Sequence, residues 1–414
     1  MLRELQVNNV PVQGLCPPWA GYANDSASAR TVERLGTGTL FPRKSLTIGS
    51  YQKFNLMFFN RSRLISKKIS REIFLPLIAG VLPLAIAASS IASEERPIQL
   101  GVIIQAEGSV ELKRPGWKTY QPTGVGAAVF TGDLLKPAAG ITVLVQCSSG
   151  EQWPVPAGIP SGVANGCAVI DEGGDGYDGT RSSELGGINA NIPYVISPRK
   201  TSLLDSRPTI SWNPVEGTTN YSVRVQGPGV DWRQRNVSAT ELAYPEQEAP
   251  LQPGGYYQVI VKAENQSSSI HDKGTKLGFR LLSEEASDRI LEQVARIQEQ
   301  DWSEPEKTLA IAHLYSQQDL RIEAIELLHT LTEQGSQPAT IFLMLGELYW
   351  QVELPLLARD NYLQAFQLAQ EEGNLWQQTK AAASLAELYE AIEEKEEASQ
   401  WSDRAREGYE ALDE

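Results

Sequence analysis

Two patterns of apolar and polar residues divide this chain near residue 283. Before that point short runs such as Val110-Glu111-Leu112 and Tyr221, Val223 and Val225 place apolar residues at alternate positions, with Gly and Pro between the runs. This period of two predicts half-buried strands. After residue 283 the chain is rich in Ala, Leu, Glu and Gln, which favour helices. The predicted fold class is therefore a multidomain β + α protein.

The predicted helices repeat. Tyr315, Ala324 and Leu328 recur 34 residues later as Tyr349, Ala358 and Tyr362, and a third copy with Tyr389, Ala398 and Ala405 follows after a further 40. A period of 34 residues with a helix–turn–helix unit resembles the tetratricopeptide repeat. We expect C-terminal α-helical tetratricopeptide repeats over 283–414, with units at about 305–338, 339–372 and 379–412.

The resemblance implies a concave groove that takes a segment of another protein. The positions that match the groove-facing sites of that family are His313, Gln317, Glu347, Trp350, Gln351, Glu387 and Glu390. Trp350 is the sharpest candidate, because an exposed aromatic side chain is a common anchor for a partner. The alternative for Trp350 is packing against a neighbouring helix.

The first β region resembles a known small domain. Gly108-Ser109-Val110 opens a strand, Thr131-Gly132-Asp133-Leu134-Leu135 forms a Gly-Asp turn, and Ser149-Gly150 follows the strand Val143-Leu144-Val145. Their order resembles the FecR domain, which occurs in periplasmic parts of bacterial envelope regulators. We therefore expect a FecR-like β domain over 97–170. The cytosolic segment with which that family contacts a sigma factor has no recognisable counterpart here.

The second β region predicts a sandwich over 192–282. About seven short strands are expected, and Leu251-Gln252-Pro253-Gly254 precedes Tyr257 with the spacing of a tyrosine corner. Together with Trp212 this pattern resembles a fibronectin type III module, which has an immunoglobulin-like β-sandwich fold. The resemblance implies that Trp212 and Tyr257 are core residues, and that the module is a spacer or a docking surface.

A secretory signal is predicted at 57–92. A basic stretch that contains Lys67, Lys68 and Arg71 precedes the apolar run 73–88, and small residues follow through Ala92. The run contains two prolines and is short for a membrane span, so we expect cleavage; an uncleaved anchor is the alternative. Residues 1–56 are then an upstream mis-start or a disordered tail, unless they form a cytosolic tail before a signal-anchor.

Export places the cysteines in an oxidising compartment. Cys147 and Cys167 then form a disulfide or remain two reduced, buried thiols. The stretch after Asp171 resembles an EF-hand loop only in part, because Ser182 occupies the position of the bidentate carboxylate. We expect a flexible Gly/Asp-rich linker over 171–191, with no metal and no cofactor.

Charge and motifs exclude two classes of function. The net charge is −15, and residues 283–414 hold 28 acidic against 9 basic residues. Such a surface repels phosphate backbones, so nucleic acid is not an expected partner. The chain has 3 histidines and lacks the HExxH, GxSxG, P-loop and complete GxGxxG patterns. We therefore expect a protein that binds and does not catalyse. The alternative is an exported hydrolase that uses paired carboxylates, although no two of them form a recognisable site in the sequence.

The leading hypothesis is a periplasmic or envelope scaffold of a Gram-negative-type bacterium that recruits another protein through its repeats. Its domain order resembles that of cyanobacterial envelope proteins. One alternative is a sensory module that uses the FecR-like domain and is anchored in the membrane by 73–88. A second is a module whose β domains bind cell-wall glycan.

Overall fold

Strands occupy the first part of the described chain and helices the second. The computed structural model describes residues 97–168, 185–274, 277–335 and 338–413. All of these belong to the compact unit Ser89–Glu414. The predicted tail 1–56, the signal 57–92 and the calcium-like stretch after Asp171 lie outside the described residues.

The first β domain is a pair of four-stranded antiparallel sheets. Its strands are β1 Gln99–Ala106, β2 Val110–Lys113, β3 Gln121–Thr123, β4 Ala128–Phe130, β5 Leu134–Pro137, β6 Val143–Cys147, β7 Gln152–Val155 and β8 Ser161–Gly162. One sheet has the order β4-β1-β6-β7 and the other β3-β2-β5-β8. Strand β1 is apolar without alternation because both its faces are buried: Ile103 packs in the domain core, and Val102 and Ile104 pack against helices.

Two local features hold this domain together. At the Gly-Asp turn Gly132 has a φ of 85°, and the carboxylate of Asp133 accepts a hydrogen bond of 2.9 Å from the amide of Phe130. Glycine reaches that φ without strain, and the carboxylate closes the turn. A disulfide joins Cys147 to Cys167, with a sequence separation of 20. Closing a loop of that length contributes about 3 kcal/mol to stability.

The second β domain is a sandwich of a three-stranded and a five-stranded sheet. Its strands are β9 Val195–Ser197, β10 Ser202–Leu203, β11 Thr209–Trp212, β12 Tyr221–Gly227, β13 Val230–Val237, β14 Glu241–Ala243, β15 Tyr256–Ala263 and β16 Phe279–Leu281. The sheet orders are β14-β11-β9 and β10-β16-β15-β12-β13. Trp212 and Tyr257 are buried in the shared core. The phenol of Tyr257 accepts a hydrogen bond of 2.6 Å from the amide of Gln252, as the spacing predicted.

Seven helices follow the sandwich in the described residues. They are α1 Glu284–Gln298, α2 Glu304–Gln317, α3 Arg321–Glu333, α4 Ala339–Gln351, α5 Pro355–Glu371, α6 Leu375–Ala391 and α7 Lys395–Asp413. A capping box begins α2, where the carboxylate of Glu306 accepts a bond of 2.8 Å from the amide of Ser303. Helices α2–α3, α4–α5 and α6–α7 form three consecutive helical hairpins, here called the helical array.

The third hairpin differs in length from the others. Helix α6 begins at Leu375, not at the predicted 379, because α5 and α6 each contain 17 residues where α3 and α4 contain 13. Close approach within the second hairpin depends on Gly346, since a Cβ there would lie 2.5 Å from the ring of Tyr362. Small residues at such positions let the two helices of a hairpin approach each other.

The sandwich and the helical array are joined by the buried guanidinium of Arg199. It donates to the carbonyls of Val352 at 2.7 Å and Glu353 at 3.2 Å, which end helix α4, and it forms an ion pair of 2.6 Å with Asp272. A positive charge at a helix C-terminus is favoured by the helix dipole. The predicted linker ends earlier than 191, because the amide of Gly187 also donates to Asp272, at 2.9 Å.

The residues after Arg199 bind the turn of the first hairpin. The amide of Ser202 donates to the carbonyl of Asp319 at 2.8 Å, and the hydroxyl of Thr201 accepts from the amide of Arg321 at 3.0 Å. Lys200 forms an ion pair of 2.5 Å with Glu353 in the turn of the second hairpin. One segment of the sandwich therefore satisfies the turns of two successive hairpins, and fixes the array relative to the sandwich.

Replacing Arg199 by Met tests this joint. The variant keeps a flexible apolar side chain, but it removes the ion pair with Asp272 and the hydrogen bonds to the buried carbonyls of Val352 and Glu353. We expect Arg199→Met to lower the free energy of unfolding by about 3–5 kcal/mol in urea titrations of the whole chain. The control is Arg296→Met at an exposed position of α1, which should change it by less than about 0.5 kcal/mol. Equal stabilities of the two variants would contradict the role of Arg199.

Candidate functional site

The predicted groove residues lie on the first helix of each hairpin, and the structure separates them into two groups. Gln317, Gln351, Glu387 and Glu390 are exposed near the C-terminal ends of α2, α4 and α6. Gln351 accepts a hydrogen bond of 3.0 Å from the guanidinium of Arg321. Glu347 is half-buried and forms an ion pair of 3.5 Å with Lys380 on the next hairpin. These five residues keep a surface that a partner can reach.

His313 and Trp350 are placed differently from the prediction. His313 is 1% exposed, so the prediction that it faces a partner in a groove is wrong. Helix α2 is buried on all sides from Leu309 to Leu314, because α1, α3 and β1 pack around it. Burial lowers the pKa of His313 to about 4, and the imidazole is neutral at physiological pH. Trp350 is half-buried and packs against the core of the helical array. This placement agrees with the alternative prediction for Trp350, which is packing against a neighbouring helix.

The chain's own first β domain covers the helices that would line the groove. Val102 and Ile104 of β1 pack with Ala310, Ile311 and Leu314 of α2. Further along the array, the hydroxyl of Thr340 in the first turn of α4 donates to the carbonyl of Val125 at 3.1 Å. A Cβ on Gly126 would lie within contact of the same threonine, so the β3–β4 turn approaches α4 closely. The groove implied by the sequence is therefore occupied in part by the protein itself.

An arginine held between aromatic rings joins the first β domain to the third hairpin. The guanidinium of Arg114 lies 3.9 Å from the ring centroid of Trp376 in α6 and 4.7 Å from that of Phe130. The rings of Trp117 and Trp376 are 5.2 Å apart. A cation desolvated against a tryptophan face contributes about 2 kcal/mol. We call Arg114, Trp117, Phe130 and Trp376 the arginine clamp.

The ion pair of the clamp is buried. Arg114 lies 3.5 Å from the carboxylate of Asp133, whose side chain is 1% exposed. Burial raises the pKa of Asp133 to about 6, although the neighbouring guanidinium and the amide of Phe130 lower it. Burial also lowers the pKa of Arg114, against the attraction of Asp133. Arg114 thus connects the Gly-Asp turn of the first domain to Trp376 of the helical array.

A second buried carboxylate lies where the sandwich meets α3. One oxygen of Glu323 accepts a hydrogen bond of 3.0 Å from the amide of Leu204. Burial raises the pKa of Glu323 to about 8, and the nearby Glu326 and Asp205 raise it further, while the hydrogen bond from Leu204 lowers it. The side chain is therefore largely protonated at neutral pH.

An open cleft remains at the far end of the helical array. It has a volume of about 470 Å³ and lies between α5, α6 and α7. Its walls include Phe366, Gln370, Gln378, Arg404 and Glu407. The ring of Phe366 meets that of Trp401 edge-on at 5.0 Å, and the guanidinium of Arg404 lies 4.3 Å from the Trp401 ring. This cleft is not covered by either β domain.

The described residues hold no cluster of three or more His, Cys, Asp or Glu side chains that could bind a metal ion. His329 bonds to the hydroxyl of Tyr349 at 2.8 Å.

Within the described ranges, no helix combines the length and the apolar character that a membrane crossing requires. The apolar run 73–88 lies outside them.

Comparison with known proteins gives no family for this chain. No family model matches it, and no curated protein matches it. It is similar to part of BtubC (BKLC) from P. vanneervenii, with 21% identity and a TM-score of 0.26 over 29% of this chain and 53% of that chain. It is also similar to the FN1–FN3 domains of chicken CNTN1, with 18% identity and a TM-score of 0.14 over 41% of this chain and 51% of that chain. The chain thus spans about half the length of each structure, and neither similarity carries an argument.

The arginine clamp, which no sequence motif marks, can be tested at Trp376. We expect Trp376→Ala to lower the free energy of unfolding of the whole chain by about 2–3 kcal/mol, because the variant loses both the half-buried ring and its contact with Arg114. Trp376→Phe keeps an aromatic face for the guanidinium and should recover more than half of that loss in the same urea titration. If Trp376→Phe were as unstable as Trp376→Ala, the stabilisation would come from the shape of the indole side chain and not from an aromatic face beside Arg114.

The raised pKa of Glu323 predicts that the free energy of unfolding depends on pH. Because its folded pKa of about 8 lies above the ordinary value of 4.5, the folded state binds more protons between these values, and its contribution to stability is lost as pH rises through 8. We expect Glu323→Gln to be more stable than the parent by about 2 kcal/mol at pH 8.5 and equal to it near pH 4.5. Urea titrations at both pH values measure this difference, and Glu292→Gln on the exposed face of α1 is the control. A constant difference at both pH values would contradict the assignment.

Proposed function

We propose that this protein is a non-catalytic scaffold of the bacterial envelope, in which tetratricopeptide-type repeats hold a FecR-like domain and a fibronectin-like sandwich and recruit another protein. The observation that carries the proposal is that the first β domain covers part of the helical array. Its first helices already bind a folded domain of the same chain, through Val102, Val125 and Arg114. An array that binds one domain and leaves the C-terminal ends of α4 and α6 exposed is suited to assembly.

The finer assignments rest on the order of elements. Three helical hairpins follow one another, beginning at Glu304, Ala339 and Leu375, and the phenol of Tyr257 bonds to the backbone of Gln252 in the sandwich. Both agree with the two resemblances in the sequence. The Gly-Asp turn at Gly132 and Asp133 has the geometry expected of a structural turn. These features support the three-part architecture that the proposal uses.

Export is supported by the disulfide between Cys147 and Cys167. Disulfides persist in the periplasm and outside the cell and are rare in the cytosol. The two cysteines are buried, and the bond closes the first β domain around the turn Val163–Asn165. A domain stabilised in this way is suited to an oxidising compartment.

The partner surface must be smaller than the groove that the sequence implied. Val102 and Ile104 cover α2, and Val125 covers the start of α4, so a partner has access to the C-terminal ends of α4 and α6. Gln351, Glu387 and Glu390 are exposed there. We therefore place the partner contact at this edge of the array, next to the segment of the sandwich that binds its turns.

A single preparation from native cells tests the proposal. A photo-crosslinking residue replaces Glu387 in one strain and Glu292 of α1 in a control strain. The cells are then irradiated and fractionated, and the protein is unfolded in denaturant without reductant and treated with a thiol-alkylating reagent. We expect the protein in the periplasmic or envelope fraction, with Cys147 and Cys167 not alkylated and a protein adduct at 387 that is absent at 292.

Other results would contradict parts of this proposal. A cytosolic protein with both thiols alkylated would exclude the envelope scaffold. Export without an adduct at 387 would exclude the partner contact at that edge. A membrane-bound chain that retains 73–88 would instead favour the sensory module, in which the arginine clamp would link the FecR-like domain to the third hairpin.

A further inference from the structure

The outer face of the five-stranded sheet in the sandwich is basic. Residues of β12, of β15 and of the first half of β13 alternate between the core and this face, and β13 is exposed throughout 233–236. Arg224, Arg233, Arg235 and Lys262 are half-exposed or exposed. Asp231 is the acidic residue among them. We call this surface the basic sheet face. Its charge contrasts with the chain as a whole, which carries a net charge of −15.

Two arginines oppose each other across neighbouring strands. Arg224 of β12 is the direct partner of Arg233 in β13, and Ser222 of β12 is the partner of Lys262 in β15. Like charges at directly opposed positions destabilise a sheet. The fold retains this pair although folding alone would favour an acidic or neutral residue at one of the two positions. Retained local conflicts of this kind are expected at functional sites.

The acidic residue does not neutralise the face. Asp231 accepts two hydrogen bonds of 2.7 Å from the guanidinium of Arg224. Arg233, Arg235 and Lys262 form no ion pair with any residue in the described ranges. Neighbouring strands lie about 4.8 Å apart, and alternate residues of a strand are about 6.8 Å apart. The cations therefore form a flat patch that presents several charges at once.

The other side chains of the face indicate what kind of anion it fits. The amides of Gln226 and Gln258 bond to each other at 3.1 Å, and the ring of Tyr256 is 44% exposed at the end of the face. Amide groups and an exposed ring are suited to sugar hydroxyls and to the apolar side of a sugar ring. Ile260, half-buried, is the aliphatic residue beside Arg224. A central cluster of large apolar anchors, typical of protein partners and of membrane-inserting surfaces, is missing from these residues.

We propose that the basic sheet face binds an anionic polysaccharide of the cell envelope. The carboxylate or phosphate groups of the polymer pair with Arg233, Arg235 and Lys262, and the amides and Tyr256 contact its sugar rings. This function lies on a different domain from the edge of α4 and α6 and does not require the protein partner proposed above, so each can fail without the other.

Binding of the whole chain to soluble polymers tests the proposal. The probes are polygalacturonate for carboxylate, a phosphomannan for phosphate, and dextran as the neutral polymer, each cast into a native gel. We expect one or both anionic polymers, and not dextran, to retard the protein, with less retardation as salt rises because bound counterions are released. The triple variant Arg233→Gln, Arg235→Gln and Lys262→Gln should bind at least about tenfold more weakly, which equals 1.4 kcal/mol.

The matched control removes three exposed cations from the helices instead. Arg289→Gln, Arg296→Gln and Lys395→Gln together give the same net charge and should bind like the parent. Unchanged melting temperatures show that both triple variants are folded. The proposal is overturned if neither anionic polymer retards the protein, if dextran does so equally, or if both triple variants lose binding alike. Binding only to phosphatidylglycerol vesicles, or only to a second copy of the chain in sedimentation, would also overturn it.

Discussion

The arrangement of this protein depends on one buried cation. Arg199 lies in the sandwich, yet most of its hydrogen bonds serve the end of helix α4 and the carboxylate of Asp272. A guanidinium is well suited to this position, because its five donors can satisfy several carbonyls and a carboxylate together. Removing a charge from water is costly, so the interface forms only when every partner is in place. The buried ion pair therefore favours one relative position of sandwich and helices.

That fixed position gives the first β domain its place on the helical array. Segment 199–202 binds the turns after α2 and α4 from one side, while Val102, Val125 and Arg114 contact the array elsewhere. The described parts thus form one assembly, and the helices serve two β domains of their own chain. Repeat arrays are built from nearest-neighbour contacts and are open at their ends. Here β1 and α1 cover the first hairpin, and α7, which is largely polar, forms the outer end of the last.

The sequence predicted the elements better than their contacts. Alternation identified the strands around Tyr221 and Tyr257, and the recurrence of Tyr315 as Tyr349 identified the hairpins, because both signals follow from local periodicity. The start of α6 was misplaced since added turns in α5 and α6 shift the repeat. His313 occupies a groove position by its spacing, but helix α2 around it is packed against β1, which is more than 200 residues earlier in the chain. Arg199 and the arginine clamp leave no periodic signal, and tertiary contacts alone define them.

The distribution of charge separates the two surfaces that remain open. Residues 283–414 carry most of the negative charge of the chain, and the exposed ends of α4 and α6 present Glu387 and Glu390. The sandwich presents Arg233, Arg235 and Lys262 on its outer sheet. At physiological salt the Debye length is about 8 Å, so the charges of each surface attract or repel only groups close to that surface. The net charge of the chain therefore does not determine what binds there. If both proposals hold, opposite local fields on the two joined domains would let one protein contact two chemically different partners without competition. The buried Arg199 joint is what keeps those two surfaces at a constant separation.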